Sequence, residues 1–348
     1  QALHLSSGLI RDRWVVDARL THIGSDGYIE RGATDLKSYM LQAGYYGTNT
    51  KLKLLSFGGS AKTYLTYNGV SKEDRKRYGR RYHDSGQYVT SDGPFVLDDG
   101  THVAYYDDQT DNYLQLNNQL VLNHRFSREW QLNATLFYTY GYGYYNQYKD
   151  DAWLAGYKNL NTSVEQADLI RHKLMLNHMG GANVAASYTT STLDLVFGGS
   201  YSYYRSPHWG TLSWVDGVED VAGRWYDNDV DKQDANLFAK AMWQATEGLT
   251  LFADLQYRYV NYKAWGVNDN FDWETMQMQP IDVDKQYHFL NPQVGVTYSF
   301  NDKNKLFASV AVAHKEPTRS DFTDRYMFAD DQTQPSAERL LDYELGYE

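Results

Sequence analysis

Hydrophobicity alternates residue by residue over long stretches of this chain, and that rhythm constrains the fold more than any other feature. Residues 130–145 read W-Q-L-N-A-T-L-F-Y-T-Y-G-Y-G-Y-Y. Leu132, Ala134, Leu136, Tyr138, Tyr140, Tyr142 and Tyr144 share one face. Gln131, Asn133, Thr135, Thr139, Gly141 and Gly143 share the other, with Phe137 the exception. Successive strand side chains point to opposite faces, so this is a strand with one apolar and one polar surface. Segments 249–259 and 293–300 repeat the pattern, Leu251, Leu255 and Tyr257 or Val294, Val296 and Tyr298 opposing polar neighbours. A helix would need apolar residues three and four apart.

Marking every such run predicts about thirteen strands, near 1–9, 14–24, 36–47, 51–70, 110–126, 130–146, 169–188, 192–205, 234–246, 249–263, 286–300, 305–315 and 339–348. Their connections alternate in length: short at 10–13, 48–50, 127–129, 189–191, 247–248 and 301–304, long at 25–35, 71–109, 147–168, 206–233, 264–285 and 316–338. Up-and-down antiparallel strands place all short turns at one end and all long loops at the other, the asymmetry of a bacterial outer-membrane barrel. Several strands also run to roughly twice the about 5–6 residues usual in soluble sheets. Trp14, Trp130, Trp243 and Phe300 lie close to short turns, as an aromatic girdle requires. The fold class is therefore all-β: an antiparallel up-and-down transmembrane β-barrel. No unbroken apolar run exceeds four residues, which excludes a helical span. The absence of Cys excludes disulfide scaffolds and thiol catalysis, and a net charge of −11 argues against a nucleic-acid partner. A barrel in lipid must close, and strands are expected at both ends of this chain, so residues 1–348 read as one barrel fragment.

The stretch Ser6 to Gly47, containing S-D-G-Y, resembles TonB-dependent outer-membrane receptors. So does Asn291 to Asp324, with N-P-Q-V-G-V-T-Y and K-E-P-T-R. The resemblance covers the whole chain. It implies a 22-stranded barrel, of which the thirteen strands are the central portion, and an N-terminal plug domain that is expected outside this chain. It further implies a multi-pass protein of the Gram-negative outer membrane, energised by the TonB complex through a missing N-terminal region. The expected function is active import of a scarce metal chelate. An iron–siderophore complex comes first, cobalamin or haem next, and a glycan third. A passive porin or an adhesin is the rival from another class.

No H-E-x-x-H, G-x-S-x-G or Walker loop occurs, so the chain does not read as an enzyme. Aromatic residues at the long-loop end are the candidate ligand contacts: Tyr144, Tyr145, Tyr148 and Trp153 in one cluster, Trp209, Trp214, Trp225 and Tyr226 in another. Their faces stack on flat ligands or sugars, although girdle and loop self-packing uses the same residues. Arg258 is a lumen candidate, with Gln115, Asn117, Gln119, Asp254 and Gln256. Asp98 and Asp99, and Asp227, Asp229 and Asp231, are hard-oxygen pairs and runs that could hold calcium or form a solvated acidic surface. The run 72–82, K-E-D-R-K-R-Y-G-R-R-Y, suits lipopolysaccharide phosphates or an anionic ligand. His83 and His102 form a possible haem or metal pair in the same loop. A surface lipoprotein docking on the loops is the remaining partner considered.

Overall fold

The computed structural model describes residues 1–66, 68–90, 93–94, 103–157, 160, 162–221, 223–323 and 335–348. Among these, the strands in chain order are β1 (Ala2–Ser6), β2 (Trp14–Ser25), β3 (Thr34–Tyr46), β4 (Thr50–Tyr64), β5 (Val89–Thr90), β6 (Gly93–Pro94), β7 (Thr110–Arg125), β8 (Trp130–Trp153), β9 (Gln166–Thr189), β10 (Leu193–Arg205), β11 (His208–Val215), β12 (Arg224–Gln244), β13 (Leu249–Asp272), β14 (Gln277–Asn301), β15 (Asn304–Lys315) and β16 (Glu338–Tyr347). Two short helices, α1 (Lys72–Tyr78) and α2 (Arg319–Thr323), lie in long connections. Apart from the small β5–β6 ribbon, the strands form one 14-stranded sheet. Its path follows chain order from β1 to β16, with β11 set beside β9 and β12. Every pairing is antiparallel between consecutive strands of that path, the meander of an up-and-down barrel wall.

Register sorts the side chains as the alternation demands. Leu136 faces Ala182, and Leu251 faces Val296, across neighbouring strands. On the outer face Leu136 is 56% exposed, Leu237 68% and Val294 55%. Such apolar exposure is costly in water and neutral against acyl chains, so it marks the lipid band. The inner face is polar: Lys240 pairs with Asp254 at 3.1 Å, and Asn291 donates to Gln256 at 3.0 Å. No described helix is long and apolar enough to cross a membrane; the crossing elements are strands.

The structure departs from the sequence reading at the long-loop end. The expected loop 206–233 contains β11 and the first part of β12, which raises the sheet from thirteen strands to 14. The expected loop 264–285 is a hairpin extension in which β13 and β14 continue to a turn at residues 273–276. β8 and β9 likewise run on to Trp153 and from Gln166. Beyond the bilayer these strands are covered from within, so the clean alternation disappears although the ladder persists. Two apolar clusters do the covering. One joins Leu169, Leu212, Val215, Trp225 and Tyr226; the other joins Val230, Val260, Ile281, Phe289 and Phe322 of α2.

Candidate ligand-binding mouth

At the long-loop end, the inner faces of β7, β8, β9, β11, β12 and β13 surround a cleft of about 410 Å³. Alternation carries Asp111 and Tyr113 of β7, Tyr145 of β8 and Lys173 of β9 to this face, with His208 and Tyr226 beside them. Gly143 makes room: a Cβ there would stand 2.7 Å from the Tyr113 ring. The Y-G-Y-G-Y run of β8 thus keeps its bulk outside and leaves its inner surface bare for Tyr113 of the preceding strand, β7.

Two cations reach the cleft. Lys173 pairs with Asp269, and its Nζ lies 5.7 Å from the Tyr145 ring centre. Arg319 enters from α2, donating to Asn228 at 2.9 Å. His208 is placed by a chain of hydrogen bonds: Ser206 donates to Asn177 at 2.5 Å, and its Oγ lies 2.8 Å from His208 Nε2. That arrangement puts the imidazole proton on Nε2 and leaves Nδ1 an acceptor. β11 lies beyond the lipid band, pairing with Leu169–Met175. Burial, aided by the Arg319 charge, lowers the His208 pKa to about 4, so the ring is neutral at physiological pH. The mouth therefore offers aromatic faces, phenols, two cations, the carboxylates of Asp111 and Asp269 and a neutral imidazole, the equipment for a polar planar ligand.

A family model described as TonB dependent receptor-like, beta-barrel, matches residues 53–348. The chain belongs to this family. TonB-dependent receptors are transporters and receptors of the outer membrane, not enzymes. A search of curated proteins gives no match. Among solved structures, the ferric-catecholate import receptor Fiu from E. coli K12, closed form, is 12% identical with a TM-score of 0.64, over 99% of this chain and 55% of that one. The ferric yersiniabactin uptake receptor FyuA from Yersinia pestis is 11% identical, TM-score 0.62, over 99% and 49%. The copper transporter OprC is 12% identical, TM-score 0.65, over 99% and 50%. The chain thus spans about half the length of these structures, and at such identities they share its fold.

Within this TonB-dependent receptor barrel, the residues singled out from sequence have separate places. Tyr145 lines the cleft, and Tyr144 borders it while its ring packs outward, 5.8 Å from Tyr142. Tyr148 is buried, donating its hydroxyl to Asp168. Trp153 is half-exposed at the hairpin tip, edge-on to Trp273 at 5.6 Å. Trp209 and Trp214 belong to the opposite face of β11 from His208 and Leu212, and Arg224 covers the Trp209 ring at 4.7 Å. Trp225 is 3% exposed in the apolar cluster, so it is a core residue. Of the eight aromatics, Tyr145 and Tyr226 meet in the cleft with Tyr144 at its border, and the other five do not converge on it.

Arg258 faces the lumen as expected, but its guanidinium is fully engaged. It donates to Asp234 at 3.1 Å and to Glu316 at 2.9 and 3.0 Å. Asp227, Asp229 and Asp231 lie along β12, Asp227 paired with Arg224 and Asp229 with Arg205 at 2.9 Å. Among the described residues, no group of three His, Asp or Glu is arranged to hold a metal ion. Asp98, Asp99 and His102 lie outside the described residues. Both ring nitrogens of His83 are occupied, Nε2 by the Asn68 carbonyl at 2.7 Å and Nδ1 by the Ser85 N–H at 3.0 Å. The basic run forms α1 and the turn after it, with Lys72, Arg75, Lys76, Arg77, Arg80 and Arg81 exposed. Tyr113, Lys173, His208, Asp269 and Arg319 were missed by the sequence reading, whereas Tyr226, grouped with the tryptophans of 206–233, does line the cleft. H-W-G-T-L-S-W-V carries a period-two signal that a loop assignment hid, and Arg319 stands in the K-E-P-T-R motif.

Proposed function

We propose that this barrel belongs to a receptor that imports a scarce metal chelate across the Gram-negative outer membrane with energy from the TonB complex, and that an iron–siderophore complex is the cargo. The observation that supports this is the mouth cleft, where Lys173 and Arg319 stand among Tyr113, Tyr145 and Tyr226. Guanidinium and ammonium groups attract an anionic chelate, and phenol rings stack on its planar ligands. Fiu and FyuA are ferric-chelate receptors by name, which agrees with this choice, and OprC shows that the same fold serves another metal.

The test is binding of purified receptor to ferric catecholate, ferric hydroxamate, cobalamin, haem and maltooligosaccharide, followed by uptake in cells. The expected result is selective binding of a ferric chelate. Lys173→Ala and Tyr145→Ala should each weaken it by about 1–2 kcal/mol, the scale of single charged or aromatic contacts. Uptake that persists without TonB would overturn the importer reading, and tightest binding of an uncharged glycan would overturn the cargo.

A further inference from the structure

The lipid-facing wall carries one side-chain geometry twice. On β8 and β9, the Tyr138 hydroxyl lies 2.7 Å from His178 Nδ1, their rings 6.2 Å apart, and Tyr140 packs on the same imidazole at 5.4 Å. On β13 and β14, the Tyr257 hydroxyl lies 2.7 Å from His288 Nδ1, the rings again 6.2 Å apart, and Tyr259 packs on that imidazole at 5.1 Å. In both cases the histidine is the register partner of the second tyrosine, His178 of Tyr140 and His288 of Tyr259.

The two trios also share a depth. Tyr140 follows Trp130, the first residue of β8, by the same interval as Tyr259 follows Leu249, the first of β13. About ten residues at roughly 3.3 Å each, on strands tilted by about 40°, rise about 25 Å, the height of the apolar band. Below the trios the outward residues are Leu136 and Leu255, both exposed. Beyond Tyr259 they are Asn261 and then Lys263, which pairs with Asp284 at 2.9 Å, and beyond Tyr140 they are the girdle rings of Tyr142 and Tyr144 and then Asn146. The trios therefore stand where acyl chains give way to headgroups on the long-loop side.

Their chemistry is that of a donor set. When the tyrosine hydroxyl donates to Nδ1, the imidazole proton sits on Nε2. Neither the Nε2 atoms nor the hydroxyls of Tyr140 and Tyr259 have a hydrogen-bond partner among the described residues. The cations near the trios are already paired, Arg205 with Asp229 and Lys263 with Asp284, so the free donors are the imidazole Nε2 and the tyrosine hydroxyls. A girdle that needed only amphipathic rings would not require a fixed imidazole beside each tyrosine pair.

We propose that each Tyr-x-Tyr/His trio is a binding site for the phosphorylated headgroup of outer-leaflet lipopolysaccharide, with His178 and His288 Nε2 and the second tyrosine hydroxyl donating to phosphate oxygens. The site lies on the outer wall, so it is independent of the cargo and of the mouth cleft. The test uses receptor purified from outer membranes and exchanged into phosphatidylethanolamine nanodiscs containing either bisphosphorylated or dephosphorylated lipid A, with bound lipid counted by native mass spectrometry. The expected result is about tenfold preference for the phosphorylated form. H178F/H288F should abolish that preference, and H178Q/H288Q, which keeps an N–H donor, should restore part of it. Equal retention of the two lipids by the unaltered receptor would overturn the proposal without recourse to any variant. Undiminished preference in an assembled H178F/H288F receptor would overturn it as well.

Discussion

Gly210 holds the mouth open by what it lacks. A Cβ at this position of β11 would fall within the rings of Trp225 and Tyr226, which are both packed in the apolar cluster. Gly210→Ala should therefore cost about 1–3 kcal/mol of stability in this region, the range for overpacking a filled core. Hydrogen exchange of β11 and β12 would register it, with the lower wall unchanged. Glu316 acts through charge instead. Burial alone would raise its pKa, but hydrogen bonds from Lys232 and Arg258 prevail and hold it at about 2. A depressed carboxyl stabilises the folded state above its unfolded pKa of about 4.5 and loses that contribution as pH falls through about 2. Limited proteolysis across 316–323 should thus remain slow at pH 5 and accelerate as pH drops from about 4 towards 2. Glu316→Gln should be cleaved quickly already at neutral pH, because Lys232 and Arg258 lose a buried partner. Gly210 was not legible as important in the sequence, and Glu316 was legible only as part of the K-E-P-T-R motif, without its role. Gly210 stands in a segment that reads as loop, and Glu316 gains its role only when the fold brings β12 and β13 beside it.

At the scale of elements, what alternation could specify was legible and what tertiary covering specifies was not. Leu132 to Tyr144 and Leu249 to Tyr259 have one face in lipid and one in the lumen, and there the chain spells out both strand and orientation. The hairpin extensions 147–153 and 264–272 are strands as well, but Ala264 is buried in one apolar cluster and Ala152 and Phe271 pack against the other. The aromatic clusters misled for the same reason: Trp225 and Trp209 are close in sequence, yet one is core and the other lies under Arg224. The orientation is directly testable. Leu136→Lys and Val296→Lys should each cost about 2–4 kcal/mol near the bilayer centre, whereas Thr135→Lys and Thr297→Lys, on the lumen face, should be mild. Urea titration of receptor folded into lipid vesicles measures both pairs. Equal costs on the two faces would reverse the assignment.

At the scale of the whole molecule, the barrel wall and the mouth are built from different interactions, and this has a consequence for how substitutions combine. The wall rests on ladder hydrogen bonds and on apolar side chains matched to lipid. The mouth rests on buried clusters and ion pairs beyond the bilayer, reached from the wall through the upper parts of β7, β8, β9, β12, β13 and β14. Sites without shared partners, more than about 7–10 Å apart, add their effects within about 0.3–0.5 kcal/mol. Leu136 and Lys173 meet that condition: one faces lipid low on β8, and the other pairs with Asp269 on the inner face of the mouth. Lys173→Ala should weaken chelate binding while leaving heat-modifiable gel mobility, the signature of an assembled barrel, unchanged. Leu136→Lys should reduce the assembled fraction while leaving the affinity of whatever does assemble untouched. The double variant should then show both losses at full size with no coupling between them. A coupling above about 1 kcal/mol would mean that the wall and the mouth form one cooperative unit, and that the cleft owes its shape to the strands in the bilayer more than to the clusters that cap them.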